Sequence, residues 1–120
     1  MMHMHYFTIE QRETLEGQLR ARAVGLREEI SAALRASPRP EAAGLLGRLD
    51  AIDADALVAF GTDLPREIRE LRETEGALKR LHTPEYGLCA DCGAEIPFAR
   101  LHANPAAARC AGCQARLEQA

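Results

Sequence analysis

The 120-residue sequence has no tryptophan, and aromatic residues make up only 4% of it. A thick aromatic core is excluded, and the apolar set, mostly alanine and leucine, suits helices packed along narrow seams. No apolar run reaches the roughly 20 residues needed to span a bilayer. The start, "MMHMHYFTIEQRE", has neither the apolar stretch nor the cleavage site of a secretory signal, so a cytoplasmic location is expected, with no membrane partner. Charge of one sign is also scarce: 15 basic against 18 acidic side chains leave a net charge of -3. Nothing global favours nucleic acid as the primary ligand. There is no GxGxxG, no P-loop and no serine in a nucleophile-elbow pattern, and the chain is not expected to be an enzyme.

Cysteine is absent everywhere except in two closely spaced pairs. Cys89, Cys92, Cys110 and Cys113 form C-x2-C-x17-C-x2-C, a spacing that lets each pair turn two thiolates toward one ion. Four thiolates would leave zinc no open position, which predicts one structural Zn²⁺ rather than a catalytic metal. An iron–sulfur cluster and a thiol redox pair are the competing readings. Gly93 and Gly112 are expected at turns in and around the knuckles. His82 and His102 flank the module and read as ordinary surface or packing residues, as do His3 and His5 near the start. The module carries Glu85, Asp91, Glu95 and Glu118 against Arg100, Arg109 and Arg116, without the basic surplus of a finger that grips phosphates.

Ahead of the cysteines the pattern is helical. "TIEQ" at Thr8 to Gln11 has the form of a capping box, and Leu15, Leu19, Ala23, Leu26, Ile30 and Ala33/Leu34 recur every three or four residues. This predicts a helix over 8–36, about 43 Å long at 1.5 Å per residue. Gly17 and Gly25 weaken it by about 1 kcal/mol each, so it needs a partner along its stripe. Pro38 and Pro40 stop it. Periodicity returns with Leu57, Phe60, Leu64, Ile68, Leu71, Glu75/Leu78 and Leu81, predicting a second helix over 64–82, capped by Thr62 or Asp63, with a break or kink at Gly61/Pro65.

The expected fold is mainly α: an antiparallel helical hairpin, or coiled coil, with a small C-terminal four-cysteine zinc-finger module and a terminal helix. Residues 1–7 form a flexible leader, 8–82 the hairpin with its connecting tip at about 37–63, and 83–120 the zinc module. Within the module, Pro97–Asn104 and residues 109–119 are expected to be short helices. Asp50, Asp53 and Asp55 lie in the tip segment, where aspartates also commonly cap backbone N–H groups.

The stretch "YGLCADCGAEIPFARLHANPAAARCAGCQARLE" resembles the C-terminal zinc finger of the DksA/TraR family of bacterial transcription regulators. The shared residues are Tyr86-Gly87, Cys89 and Cys92 followed by Gly93, Ile96-Pro97, the run Arg100-Leu101-x-Ala103-x-Pro105, and Cys110-x-x-Cys113 followed by Gln114. "ELRETEGALKRL" is similar to the family's second coiled-coil helix. The resemblance implies a regulator that binds bacterial RNA polymerase through the secondary channel by a coiled-coil finger, without sequence-specific DNA binding. Some members act jointly with ppGpp, a role left unassigned here. The family's tip pattern, Asp-x-x-Asp-x-Ala, is met by Asp50 and Asp53, while Asp55 stands in the alanine position. These three acids are the implied polymerase-interaction candidates, and a monomer is expected. Two other functions compete. One is a protein-interaction adaptor that docks through Leu45, Leu46, Leu49 and Leu57. The other is a small nucleic-acid-binding zinc protein that uses Arg20, Arg22, Arg27 and Arg35.

Overall fold

The computed structural model describes residues 7–119. The elements are α1 (Ile9–Ala36), α2 (Ala42–Leu46), two 3₁₀ turns (Leu49–Ala51 and Ala54–Phe60), α3 (Asp63–Arg80), α4 (Phe98–Ala103) and α5 (Ala111–Gln119). None of these helices is long and apolar enough to cross a membrane. The chain divides into two compact units, one built from residues up to Arg20 together with Thr74 onward, the other from Ala21–Glu73.

The capping box forms as its chemistry requires. The Gln11 N–H donates to Thr8 Oγ1 at 2.9 Å, and the Thr8 N–H donates to Gln11 Oε1 at 3.0 Å, satisfying two otherwise orphaned donors at the start of α1. The helix ends at Ala36, before the two prolines. Pro65 does not break α3, because it lies in the first turn, where its missing N–H has no intrahelical acceptor to serve. The break falls instead at Gly61, whose φ of 105° is disfavoured for any residue with a Cβ.

In the 21–73 unit, Ala23, Leu26, Ile30 and Leu34 of α1 are buried, as are Leu64, Ile68 and Leu71 of α3, with Leu45, Ile52 and Leu57 from the connecting segment. The helices run antiparallel here. Arg22 Nε meets Glu70 Oε2 at 2.7 Å, and the Glu29 carboxyl lies beside that of Glu67, farther along α1 and earlier on α3.

In the other unit, Leu15 and Leu19 of α1 pack with Ala77 and Leu81, and with Tyr86, Ile96, Leu101, Ala107, Cys89 and Cys113. Arg12 donates to the Leu81 carbonyl, again setting an early α1 residue against the end of α3. The α3 stripe departs from the expected one in this stretch: Thr74 and Ala77 are buried, and Glu75 and Leu78 only partly. Threonine and alanine carry too weak an apolar signal to have been preferred to leucine. Phe7, assigned to the leader, is buried in this cluster, its ring centroid 6.0 Å from that of Tyr86 and 6.2 Å from that of Phe98. His3 and His5, the rest of that reading, lie outside the described residues.

Candidate metal centre and tip loop

The first cysteine pair sits on a tight reversal. Leu88 and Glu95 form an antiparallel bridge. The Cys89 N–H donates to the Ala94 carbonyl at 2.8 Å and the Gly93 N–H to the Cys89 carbonyl at 2.9 Å. Turning the chain that sharply needs a left-handed residue, and Gly93 supplies it with φ 77°. The second pair is built differently. Cys110 immediately precedes α5, and its sulfur accepts from the Cys113 N–H at 3.4 Å, the place a serine or aspartate cap would take. Gly112 therefore lies inside the first turn of α5 and not in a loop.

Several contacts bring the two pairs together. The Ala90 N–H donates to the Ala108 carbonyl at 2.8 Å, and Arg109 Nε to Asp91 Oδ2 at 2.8 Å. Arg100 Nε donates to the Arg109 carbonyl at 3.1 Å, and the Tyr86 hydroxyl to the Pro105 carbonyl at 3.0 Å. Leu101 of α4, fully buried, anchors the intervening segment.

The four sulfurs all lie within 4.8 Å of one another, and Cys92 Sγ is 3.9 Å from Cys110 Sγ. Four sulfurs about 2.3 Å from a tetrahedral zinc would be separated by about 3.8 Å. The set thus fits one zinc ion with little rearrangement. Protonation favours the same reading. Hydrogen bonds from the backbone at Cys110 and Cys92 hold the Cys89 thiol down at about 6, whereas burial and the neighbouring sulfurs push Cys113 up to about 12. Four anionic sulfurs cannot share so small a volume without a cation, and a divalent metal takes the place of their protons. Arg116 Nη2 donates to Cys113 Sγ at 2.9 Å and offsets part of the remaining negative charge. His82 is exposed, and His102 lies against Phe98, with ring centroids 5.6 Å apart. Among the described residues the only metal-binding group is the four cysteines.

The connecting segment of the other unit carries the three tip acids. Asp50 is exposed and pairs with Arg27 Nη2 at 2.5 Å, an interaction that holds its carboxyl below the usual value. Asp53 accepts from the Asp55 N–H at 3.2 Å and caps the second 3₁₀ turn. The Asp55 side chain is exposed. From α3, Arg72 Nη2 donates to the carbonyls of Leu49 at 2.8 Å and Ile52 at 3.3 Å, bracketing Asp50. Periodicity gave no hint of Arg72, which reads simply as a charge on the polar face.

Paired cysteine knuckles packed on an antiparallel helical pair define the class: a helical-hairpin protein with a structural C4 zinc finger. Residues 84–119 match the prokaryotic dksA/traR C4-type zinc finger. The likeness to the DksA/TraR family is thus carried by this zinc-finger segment. Over 53 residues the chain is 43% identical to an uncharacterized protein of Aquifex aeolicus and 40% identical to the RNA polymerase-binding transcription factor DksA of Haemophilus influenzae, in each case across 44% of this chain and 37% of the relative. Identity to the Escherichia coli protein of the same name is 36%, over 44% of this chain and 35% of that one. The match therefore spans little more than a third of the length of these relatives. The solved structure of transcription factor DksA2 from Pseudomonas aeruginosa is similar with a TM-score of 0.53 and 25% identity, covering 95% of this chain and 88% of that one.

Proposed function

We propose that this protein is a DksA-like transcription regulator that binds bacterial RNA polymerase through the secondary channel by its coiled-coil finger, with zinc in a purely structural role. It is not an enzyme, acts in the cytoplasm as a monomer, and reads no DNA sequence. The observation that carries this reading is the combination, in one chain, of the four-sulfur cluster of a dksA/traR finger with an acidic loop between two antiparallel helices. The names of its relatives support the partner.

The charge pattern supports polymerase over free nucleic acid. Arg20, Arg22 and Arg27 are paired with Glu16, Glu70 and Asp50, which leaves little unneutralised charge for a phosphate backbone. Burial weakens the adaptor reading in the same way: Leu57 is wholly buried and Leu45 nearly so, which removes two of the four leucines that would dominate an apolar dock.

Asp50, Asp53 and Asp55 are the tip residues that act after docking. The test is binding of the zinc-loaded protein to polymerase core and holoenzyme, with Asp50→Asn/Asp53→Asn in parallel and transcription read from the same samples. The expected result is a double variant that still binds but no longer alters transcription. Failure of the parent protein to bind at low and moderate salt would overturn the proposal.

A further inference from the structure

The second 3₁₀ turn, Ala54–Phe60, runs for seven residues, longer than such elements usually last. Residues three apart in this geometry lie on one row, and burial follows that period. Ala54, Leu57 and Phe60 make the inner row: Leu57 is wholly buried and the other two half-buried, with Arg39 over the Phe60 ring at 5.3 Å. Asp55 with Val58, and Ala56 with Ala59, make two outer rows, all four residues exposed. Val58 is 61% exposed, one of the few large apolar side chains left to solvent among the described residues.

The acids of this segment differ in what they touch. Asp50 is tied to Arg27, and Asp53 accepts the Asp55 N–H on Oδ1. Among the described residues no donor reaches the Asp55 carboxylate. The element is fixed at both ends, by the Asp53 cap and by the Gly61 N–H on the Val58 carbonyl at 3.2 Å, so its outer face is preformed and needs no ordering on contact.

We propose that this outer face is the contact surface of the tip, where Asp55 receives a lysine or arginine of the protein partner and Val58 packs on the aliphatic stem of that side chain. A long basic side chain carries both parts, a charged head and an apolar stem. Val58 stands one 3₁₀ turn beyond Asp55, about 6 Å along the axis, a separation that such a side chain spans. The small side chains of Ala56 and Ala59 let the partner come close on the flank. A nucleic-acid backbone would instead meet like charge at Asp55. Asp55 acts through its charge, whereas Asp50 and Asp53 act through the shape of the loop. The loss expected of Asp50→Asn/Asp53→Asn then comes from the broken tie to Arg27. The inference rests on the polymerase reading, which supplies the partner.

The experiment measures binding and transcription in the same samples, with full-length, zinc-loaded protein and polymerase holoenzyme. The parent is compared with Asp55→Asn, Asp55→Glu, Val58→Ser and Asp53→Asn. Protection of the Ala56 amide, bonded to the Asp53 carbonyl at 2.9 Å, reports that the turn is intact in each. At saturating protein, Asp55→Asn is expected to lower the change in transcription about tenfold and Val58→Ser about fivefold. Asp55→Glu keeps most of the effect, and Asp53→Asn equals the parent, because asparagine caps as well as aspartate. The deficit of Asp55→Asn shrinks as salt rises, and that of Val58→Ser does not. A parent that binds and regulates while Asp55→Asn and Val58→Ser match it would overturn the inference and leave the polymerase reading standing. A deficit in Asp53→Asn as large as in Asp55→Asn, with Ala56 still protected, would overturn the division of roles. A deficit in Asp55→Asn that comes with lost Ala56 protection would overturn the role of charge. A parent that does not bind polymerase overturns both the reading and the inference.

Discussion

Replacing Arg72 with methionine removes its hydrogen bonds to the Leu49 and Ile52 carbonyls, and a charge, while keeping most of the side chain's bulk. The bond to the Leu49 carbonyl, at 2.8 Å, has full strength, and that to Ile52, at 3.3 Å, is marginal. A buried charge-assisted hydrogen bond is worth about 1.5–3 kcal/mol. Both of these are only part-buried, so water recovers some of the loss in the variant, and the expected net cost is about 2 kcal/mol. That corresponds to roughly a 30-fold rise in local opening of the tip loop. Hydrogen exchange at the amides of Ala51 and Ala56, which are bonded to the Arg48 and Asp53 carbonyls, reads this directly. The Cys89 amide, bonded to Ala94 in the other unit, serves as the control and stays protected. Arg72→Lys restores one of the two bonds and falls between the parent and methionine. Unchanged protection at Ala51 and Ala56, or an equal loss at Cys89, would refute the idea that Arg72 acts locally to hold the acidic loop.

Four further outcomes are expected. Cys113→Ser, or chelation of the parent, removes zinc and exposes residues 84–119 to proteolysis before 21–73, checked by metal content and fragment mass, because the buried sulfurs are part of the core of only the first unit. In the same measurement zinc affinity falls with acidification, steeply below about 6, where even the Cys89 thiolate takes up its proton. Gly17→Ala and Gly25→Ala each stabilise α1 by about 0.5–1 kcal/mol in urea denaturation, since nothing lies within 4 Å of either added Cβ and both sit in mid-helix. Glu67→Gln stabilises the 21–73 unit at neutral pH by a few tenths of a kcal/mol. Burial and the Glu29 carboxyl raise Glu67 above its ordinary value, so the folded state holds that proton more tightly than the unfolded chain. Stability from this group accordingly falls as pH rises from the ordinary carboxylate value through the raised one, and the advantage of glutamine grows over the same window.

Much of the architecture could be read from local patterns. Spacing alone paired the cysteines, since C-x2-C constrains two thiolates by covalent geometry whatever the rest of the chain does. The capping box at Thr8 and Gln11 is equally local, and its two hydrogen bonds form as expected. The α1 stripe is legible because its buried members from Leu15 to Leu34 are leucine or isoleucine at helical intervals, with Ala23 the one exception. The lower half of α3 was less legible: which of Thr74, Glu75, Ala77 and Leu78 faces inward depends on the width of the space opposite, and small residues fit there.

The sequence by itself determined the metal set, the helical pair and the acidic character of the connecting segment, all consequences of covalent spacing or of short-range periodicity. Only the tertiary structure decided how those acids are held and what flanks the metal. Arg27 reaches Asp50 across 23 residues of sequence, Arg72 reaches Leu49 across the same separation, and Arg109 meets Asp91 across 18. An arginine side chain is long and its partner is chosen by distance in space, so no one-dimensional pattern marks which carboxylate or carbonyl it finds.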